Sequence, residues 1–307
     1  MHQLYTWVFE PGFFASAPVH TAAVIGGVTA VVSAVVGVFT VLRGQSFAGH
    51  ALGDVSAGGG SGALLIGVTP LTGFIGLGII GSGAMELIGI QRVRGRDLAT
   101  GIVLGAAIGL TSLFLYLDTS ASATTGAAQQ ILFGSIFTIT SSLTIIITFS
   151  VLAVGAIAVI WRPLLLATVS PDIAAARGVP VRLVGLAYML ALAVAVGLSS
   201  LTVGAILSTA LLIGPAATAL RLTSRMGRAL VLACLTGVAA TWAGILLAYD
   251  SYYWGSAHEA LPVSFFIVAV IFVAFLLTAL PARRAAARPR EAGAPAAADA
   301  TRDQVAA

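Results

Sequence analysis

The chain has no lysine and very little charge of any kind. Of its 307 residues, 8% are Asp, Glu, Lys or Arg and 59% are hydrophobic. Soluble domains carry roughly 25% charged residues, so this composition cannot build a water-facing surface of ordinary size. The mean hydropathy of +1.05 points to an all-α polytopic membrane protein. The 15 basic residues are all arginine. Without lysine there is no P-loop, whose lysine reaches the phosphates, and no Schiff-base chemistry. The single cysteine, Cys234, excludes an intrachain disulfide and a Cys-x-x-Cys metal site, and reads as a small core residue. Residues 1–18 hold no Lys or Arg and so lack the basic n-region of a signal peptide. No internal repeat is visible. Glycine, in contrast, is abundant at 35 residues, which suits close approach of transmembrane helices.

Nine apolar stretches of about 20 residues, the length that crosses hydrocarbon, fall near 19–42, 45–68, 71–90, 98–117, 142–161, 183–201, 203–220, 228–249 and 263–280. The sixth and seventh nearly touch at Leu201-Thr202, which suggests a broken or re-entrant segment. Threading nine spans with the N-terminus outside puts every arginine on one side. Arg43, Arg92, Arg94, Arg96, Arg162, Arg177, Arg182, Arg221, Arg225 and Arg228 fall in inner segments, and Arg283, Arg284, Arg288, Arg290 and Arg302 in the tail. The outer segments carry Glu10, Asp118, Asp250 and Glu259. The positive-inside rule then predicts about nine transmembrane helices, the N-terminus outside and the C-terminus cytoplasmic. The pI near 9.7 follows from this sidedness, not from a basic face for nucleic acid. Residues 1–18 read as an extracytoplasmic, interfacial N-terminus, with Tyr5, Trp7, Phe9, Phe13 and Phe14 as an aromatic belt. Residues 19–280 read as the membrane domain, with 126–141 as a short helix near the outer surface, and 281–307 as a disordered cytoplasmic tail.

The polar exception is "FAGHALGDVS", residues 47–56. His50 and Asp54 stand four residues apart, on one face of a helix with Cβ atoms about 5–6 Å apart. Entering from Gln45 at about 1.5 Å per residue, Asp54 lies near the bilayer centre. An ionised carboxylate there costs at least about 2.5–3.5 kcal/mol, so it needs a partner or a wet cavity. One divalent cation can take both groups at about 2.0–2.2 Å. Two ligands make a weak site, and a second copy related by a two-fold axis would add two more. A helix–helix hydrogen bond, or pairing of Asp54 with His50 to hide its charge, is the competing reading. The adjoining "SAGGGSG" (56–62) permits close backbone approach or a helix break, which makes Gly58 and Gly59 pathway or hinge candidates. Pro215 inside the seventh stretch is a further hinge candidate. His258 and Glu259 in the last outer loop are candidates to meet an outside protein or relay metal, against the default of a solvated loop. Glu86 reads as snorkelling toward Arg92 or Arg94.

Five stretches in order resemble the metal-specific ABC transporter permeases, which import zinc, manganese or iron with a solute-binding protein. "GVFTVLR" (37–43) resembles the family's G-x-F-x-V-L-R, and "FAGHALGDV" its F-x-G-D-A-L-S-H-A. "LFGSIFTIT" (132–140) resembles L-F-G-D-L-L-x-V-T. "SPDIAAARGVPV" (170–181) resembles S-P-D-x-A-x-x-x-G-V, and "VGAILSTALLIGPAATALRL" (203–222) resembles V-G-x-x-L-x-x-A-L-L-x-x-P-A-A-T-A. The resemblance implies that His50 and Asp54 are metal ligands, although the family's Asp precedes its His and here the order is reversed. Ser135 stands where the family has Asp, so no ligand role carries over there. The resemblance also implies that 170–181 docks on the ATPase. Local chemistry agrees with a short capped helix there: Ser170 as N-cap, Pro171 at N1, Asp172 and Ala175 within, then Arg177 and Gly178 as terminator.

The expected function is thus the permease subunit of an ABC importer for divalent metal in the bacterial plasma membrane. It works as a homodimer with a cytoplasmic ATPase and an extracytoplasmic metal-binding protein, and holds no permanently bound cofactor. Zinc is the favoured cargo, because imidazole plus carboxylate suits Zn²⁺, with manganese or iron as the alternative. An intramembrane enzyme using His50 and Asp54 as an acid–base pair and a permease for a larger metal chelate are the competing readings. The first has no third catalytic group in sight, and the second needs a wide cavity without charged ligands at mid-depth.

Overall fold

The computed structural model describes residues 13, 16–88, 96–122, 126–134, 136–137, 143–254 and 261–286. All regular structure among them is helical. In chain order the helices are α1 (Ala17–Leu42), α2 (Ser46–Leu65), α3 (Pro70–Ile88), α4 (Arg96–Ser122), α5 (Gly126–Phe133), α6 (Leu143–Val159), α7 (Trp161–Val169), α8 (Pro171–Ala176), α9 (Val181–Val203), α10 (Ala205–Leu222), α11 (Met226–Ser251) and α12 (Val263–Ala286).

Six of these, α1, α3, α4, α9, α10 and α11, are long and apolar enough to cross a membrane, and a seventh span results if α6 and α7 count as one bent pair. The difference from nine lies in α2 and α12. The Gly, Ser, His and Asp of α2 lower its apolarity, and the described apolar part of α12 covers only Val263–Thr278. α2 can afford its composition because it is enclosed: it lies against α3 and α4 and touches α9 and α10, and most of its residues are buried. Large apolar side chains on the outside of the bundle, such as Ile102 of α4, Val151 of α6 and Trp242 of α11, are exposed, as a hydrocarbon solvent allows.

Three boundaries differ from the sequence reading. The fifth stretch does not end at 161; the chain bends by 63° near Ile160 and stays helical to Val169. The helix expected over 126–141 stops at Phe133, because Gly134 takes φ +81°. α12 continues through Ala286, past the expected start of the tail at 281, in an alanine-rich stretch that favours helix. The break near Leu201-Thr202 is present, at Gly204, whose φ of 95° and ψ of 155° only glycine adopts readily. Gly204 and Gly134 cross there: a Cβ on Gly204 would land on the Leu132 carbonyl oxygen, and one on Gly134 on that of Thr202. Of the aromatic belt, Phe13 is described; its ring stands edge-on to Tyr249 with centroids 5.3 Å apart. Tyr5, Trp7, Phe9 and Phe14 lie outside the described residues.

Candidate functional site

The site begins with a turn. α1 ends at Leu42 with Arg43 as its C-cap, and Gly44 takes φ +62° so that the Gly44 amide bonds the Val41 carbonyl (3.1 Å) and the Gln45 amide the Thr40 carbonyl (2.9 Å). This pairing is a Schellman closure, and it starts α2 at once. One turn later comes His50. Its Nε2 lies 3.7 Å from Asp54 Oδ2, with side-chain exposures of 41% and 17%. Its Nδ1 lies 3.0 Å from Thr209 Oγ1 on α10. Glycines permit that approach: a Cβ on Gly49 would meet Leu212 Cδ2 at 2.9 Å, and one on Gly53 would meet Ser208 Oγ at 3.1 Å. Thr111 of α4 sits behind the pair, bonding mainly to its own helix at Ala107 O (2.8 Å) and reaching the Asp54 carbonyl at 3.4 Å.

The pair fits cation binding by distance. Two metal bonds of about 2.1 Å reach about 4.2 Å, and the Nε2–Oδ2 separation is 3.7 Å. With Nδ1–H donating to the Thr209 hydroxyl, the Nε2 lone pair is turned toward the carboxylate and free for a metal. Among the described residues no group of three or more His, Cys, Asp and Glu could hold a metal. One chain thus offers one imidazole nitrogen and one carboxylate. Thr209 was not legible in the sequence, because its distance from His50 along the chain hides the contact and a hydroxyl on an apolar helix carries no motif.

The other sequence candidates separate by place. α2 runs unbroken through Gly58 and Gly59, so of the two uses foreseen for the glycine run, close approach is the one found. A Cβ on Gly59 would land on the Gly73 carbonyl oxygen of α3, and one on Gly58 would meet Thr111 Oγ1 at 3.2 Å. Pro215 is buried inside α10, near Gly237 of α11. At 170–181 the capped helix is present. Ser170 Oγ accepts the Ile173 amide (3.3 Å), Pro171 opens α8, and Gly178 at φ +78° closes it, with Gly178 N to Ala175 O at 2.9 Å and Val179 N to Ala174 O at 3.0 Å. Asp172, Ala175 and Arg177 are exposed, while Ala174 anchors the helix. Cys234 is a free, half-buried thiol. His258, Glu259, Ser135, Arg92 and Arg94 lie outside the described residues.

Six to seven helices long and apolar enough to cross a membrane, with a polar His50–Asp54 pair on a helix packed among them, define the class as a polytopic membrane protein. Residues 17–280 match the ABC 3 transport family, and the chain belongs to that family of metal ABC-transporter permeases. It is a multi-pass protein of the bacterial plasma membrane. It is 33% identical over 263 residues to the manganese transport system membrane protein MntC of Listeria innocua, covering 83% of this chain and 89% of that one. It is 32% identical over 246 residues to the chelated iron transport system membrane protein YfeC of Yersinia pestis, covering 77% of each. Its fold is similar to that of PsaBC from Streptococcus pneumoniae in complex with Fab, with a TM-score of 0.74 at 23% identity over 91% of this chain and 95% of that one.

Proposed function

We propose that the chain is the membrane-spanning subunit of an ATP-driven importer of divalent metal, with manganese the first cargo and iron the next. The observation that carries this reading is the His50–Asp54 pair, 3.7 Å apart and oriented by Thr209. The names of the relatives favour manganese or iron over the zinc expected from the ligand types alone. One imidazole and one carboxylate are open to zinc, manganese or iron alike, so the order of cargoes rests on the relatives. In the full reading the nine stretches all cross, the arginine-bearing ends face the cytoplasm, and two copies face each other to complete the ligand set. α8 docks on a cytoplasmic ATPase, and an extracytoplasmic binding protein delivers the ion.

The test is ATP-dependent uptake of radioactive manganese, iron and zinc into vesicles holding the assembled complex. The expected outcome is manganese uptake that His50→Ala and Asp54→Ala abolish while ATP hydrolysis persists. Equal uptake by both variants and wild type would refute the site, and a preference for zinc would refute the choice of cargo.

A further inference from the structure

Arg43 belongs to the set of arginines that fix sidedness. A sidedness anchor needs a solvated positive charge, and lysine serves as well as arginine. Arg43 is not held that way. It is partly buried, and its Nε donates to Gln45 Oε1 at 3.3 Å. Its Nη1 donates to Thr168 Oγ1 at 3.4 Å. Its guanidinium carbon stands 5.0 Å from the ring centroid of Tyr188, whose hydroxyl donates to Thr40 Oγ1 at 2.9 Å. Burial lowers the Arg43 pKa, and the Glu86 carboxylate on α3 opposes that shift. Gln45, its near partner, is itself buried.

The partners sit at two telling places. Thr168 is two residues before Ser170, the N-cap of α8, at the end of the bent α7. Gln45 is the residue that opens α2, whose unbroken helix carries His50 one turn on. A guanidinium fork reaches both at once, and its central carbon lies over an aromatic ring. An ammonium is a point donor and cannot reproduce that arrangement. We propose that Arg43 is a positioning residue which ties the α7–α8 segment to the foot of α2, so that movement of α8 is delivered to the metal pair through Thr168, Arg43 and Gln45. The proposal rests on the importer reading, in which α8 is the segment that the ATPase moves.

The experiment measures manganese uptake and ATP hydrolysis together in vesicles holding the full complex, for wild type, Arg43→Lys and Thr168→Val. Lys keeps the inner positive charge, and Val keeps the volume of Thr while removing its acceptor. The expected result is that both variants hydrolyse ATP near the wild-type rate and carry about tenfold less manganese per ATP. Wild-type transport per ATP in Arg43→Lys would overturn the proposal, because charge alone would then suffice. A proportional loss of uptake and hydrolysis in both variants would also overturn it, as general damage. If Arg43→Lys does not assemble, unchanged transport per ATP in Thr168→Val overturns it alone. Absence of ATP-dependent metal uptake in the wild-type complex overturns the importer reading, and the coupling role with it.

Discussion

The bond between His50 and Thr209 makes a quantitative claim that one substitution tests. Thr209→Val removes the hydroxyl 3.0 Å from Nδ1 and keeps the side chain's shape. In the present geometry the ring is held from behind, and Nε2 faces Asp54 Oδ2 at 3.7 Å. Without the hydroxyl the imidazole can exchange tautomers and rotate, so part of the time a proton, not a lone pair, faces the ion. Partners that orient a metal-binding histidine in this way are worth about 10–100-fold in metal affinity or activity. That range corresponds to about 1.4–2.7 kcal/mol. The structural cost is smaller, because the half-exposed ring can bond water in place of the hydroxyl. A net hydrogen bond is worth about 0.5–1.5 kcal/mol, so the folded protein should persist in the membrane at its normal level. The assay is manganese uptake by the full complex across a concentration series. Thr209→Val should raise the apparent KM by at least about tenfold, and Thr209→Ser, which keeps the oxygen, should restore it. A wild-type KM in the Val variant would refute the orienting role. So would a Ser variant as impaired as Val, since volume and not the hydroxyl would then be responsible.

Two further outcomes are expected from the backbone. Gly204→Ala must hold a non-glycine residue at φ 95°, ψ 155° and place a Cβ on the Leu132 carbonyl; the conformation alone costs about 1–3 kcal/mol. The thermal unfolding midpoint in detergent should fall clearly, and an unchanged midpoint would show that α5 and the α9–α10 break move apart freely. Ser170→Ala removes the acceptor for the Ile173 amide, a cap worth about 1 kcal/mol on an exposed six-residue helix. Global stability should barely change, while on the proposed docking of α8 the permease should bind a co-expressed ATPase more weakly in a pull-down titration and Ser170→Asp should recover the binding. Equal binding by the Ala variant would mean that α8 does not need its cap to dock.

What the sequence made legible was local, and what it hid was reached across the bundle. The ends of α8 could be read residue by residue, because Ser170, Pro171 and Gly178 each satisfy a backbone requirement within a few positions. The break at Gly204 was visible to within three residues, because two apolar stretches met there with no polar loop between them. The bend at Ile160 carried a signal that the apolar run hid: Pro163 has no amide for the Val159 carbonyl one turn back, and Arg162 stands beside it. Apolarity also misjudges α2: it measures the average greasiness of a helix, while α2 lies among other helices and carries the polar pair. The glycine run after the pair permitted either a break or a close approach, and Gly73 on α3 decides for the approach, a partner no local pattern could name. The reversed order of His and Asp is the clearest case. On an unbroken helix either order keeps both groups on one face, so the sequence pointed only to an exchange of depth between imidazole and carboxylate. The structure adds a partner. His50 sits one turn nearer the Arg43 end than Asp54, and it is the group that meets Thr209 across α10. The reversal therefore gives the hydroxyl partner to the imidazole; on the proposed importer reading, any change in ion preference should arise from the depth and orientation of the two groups, with their identity unchanged.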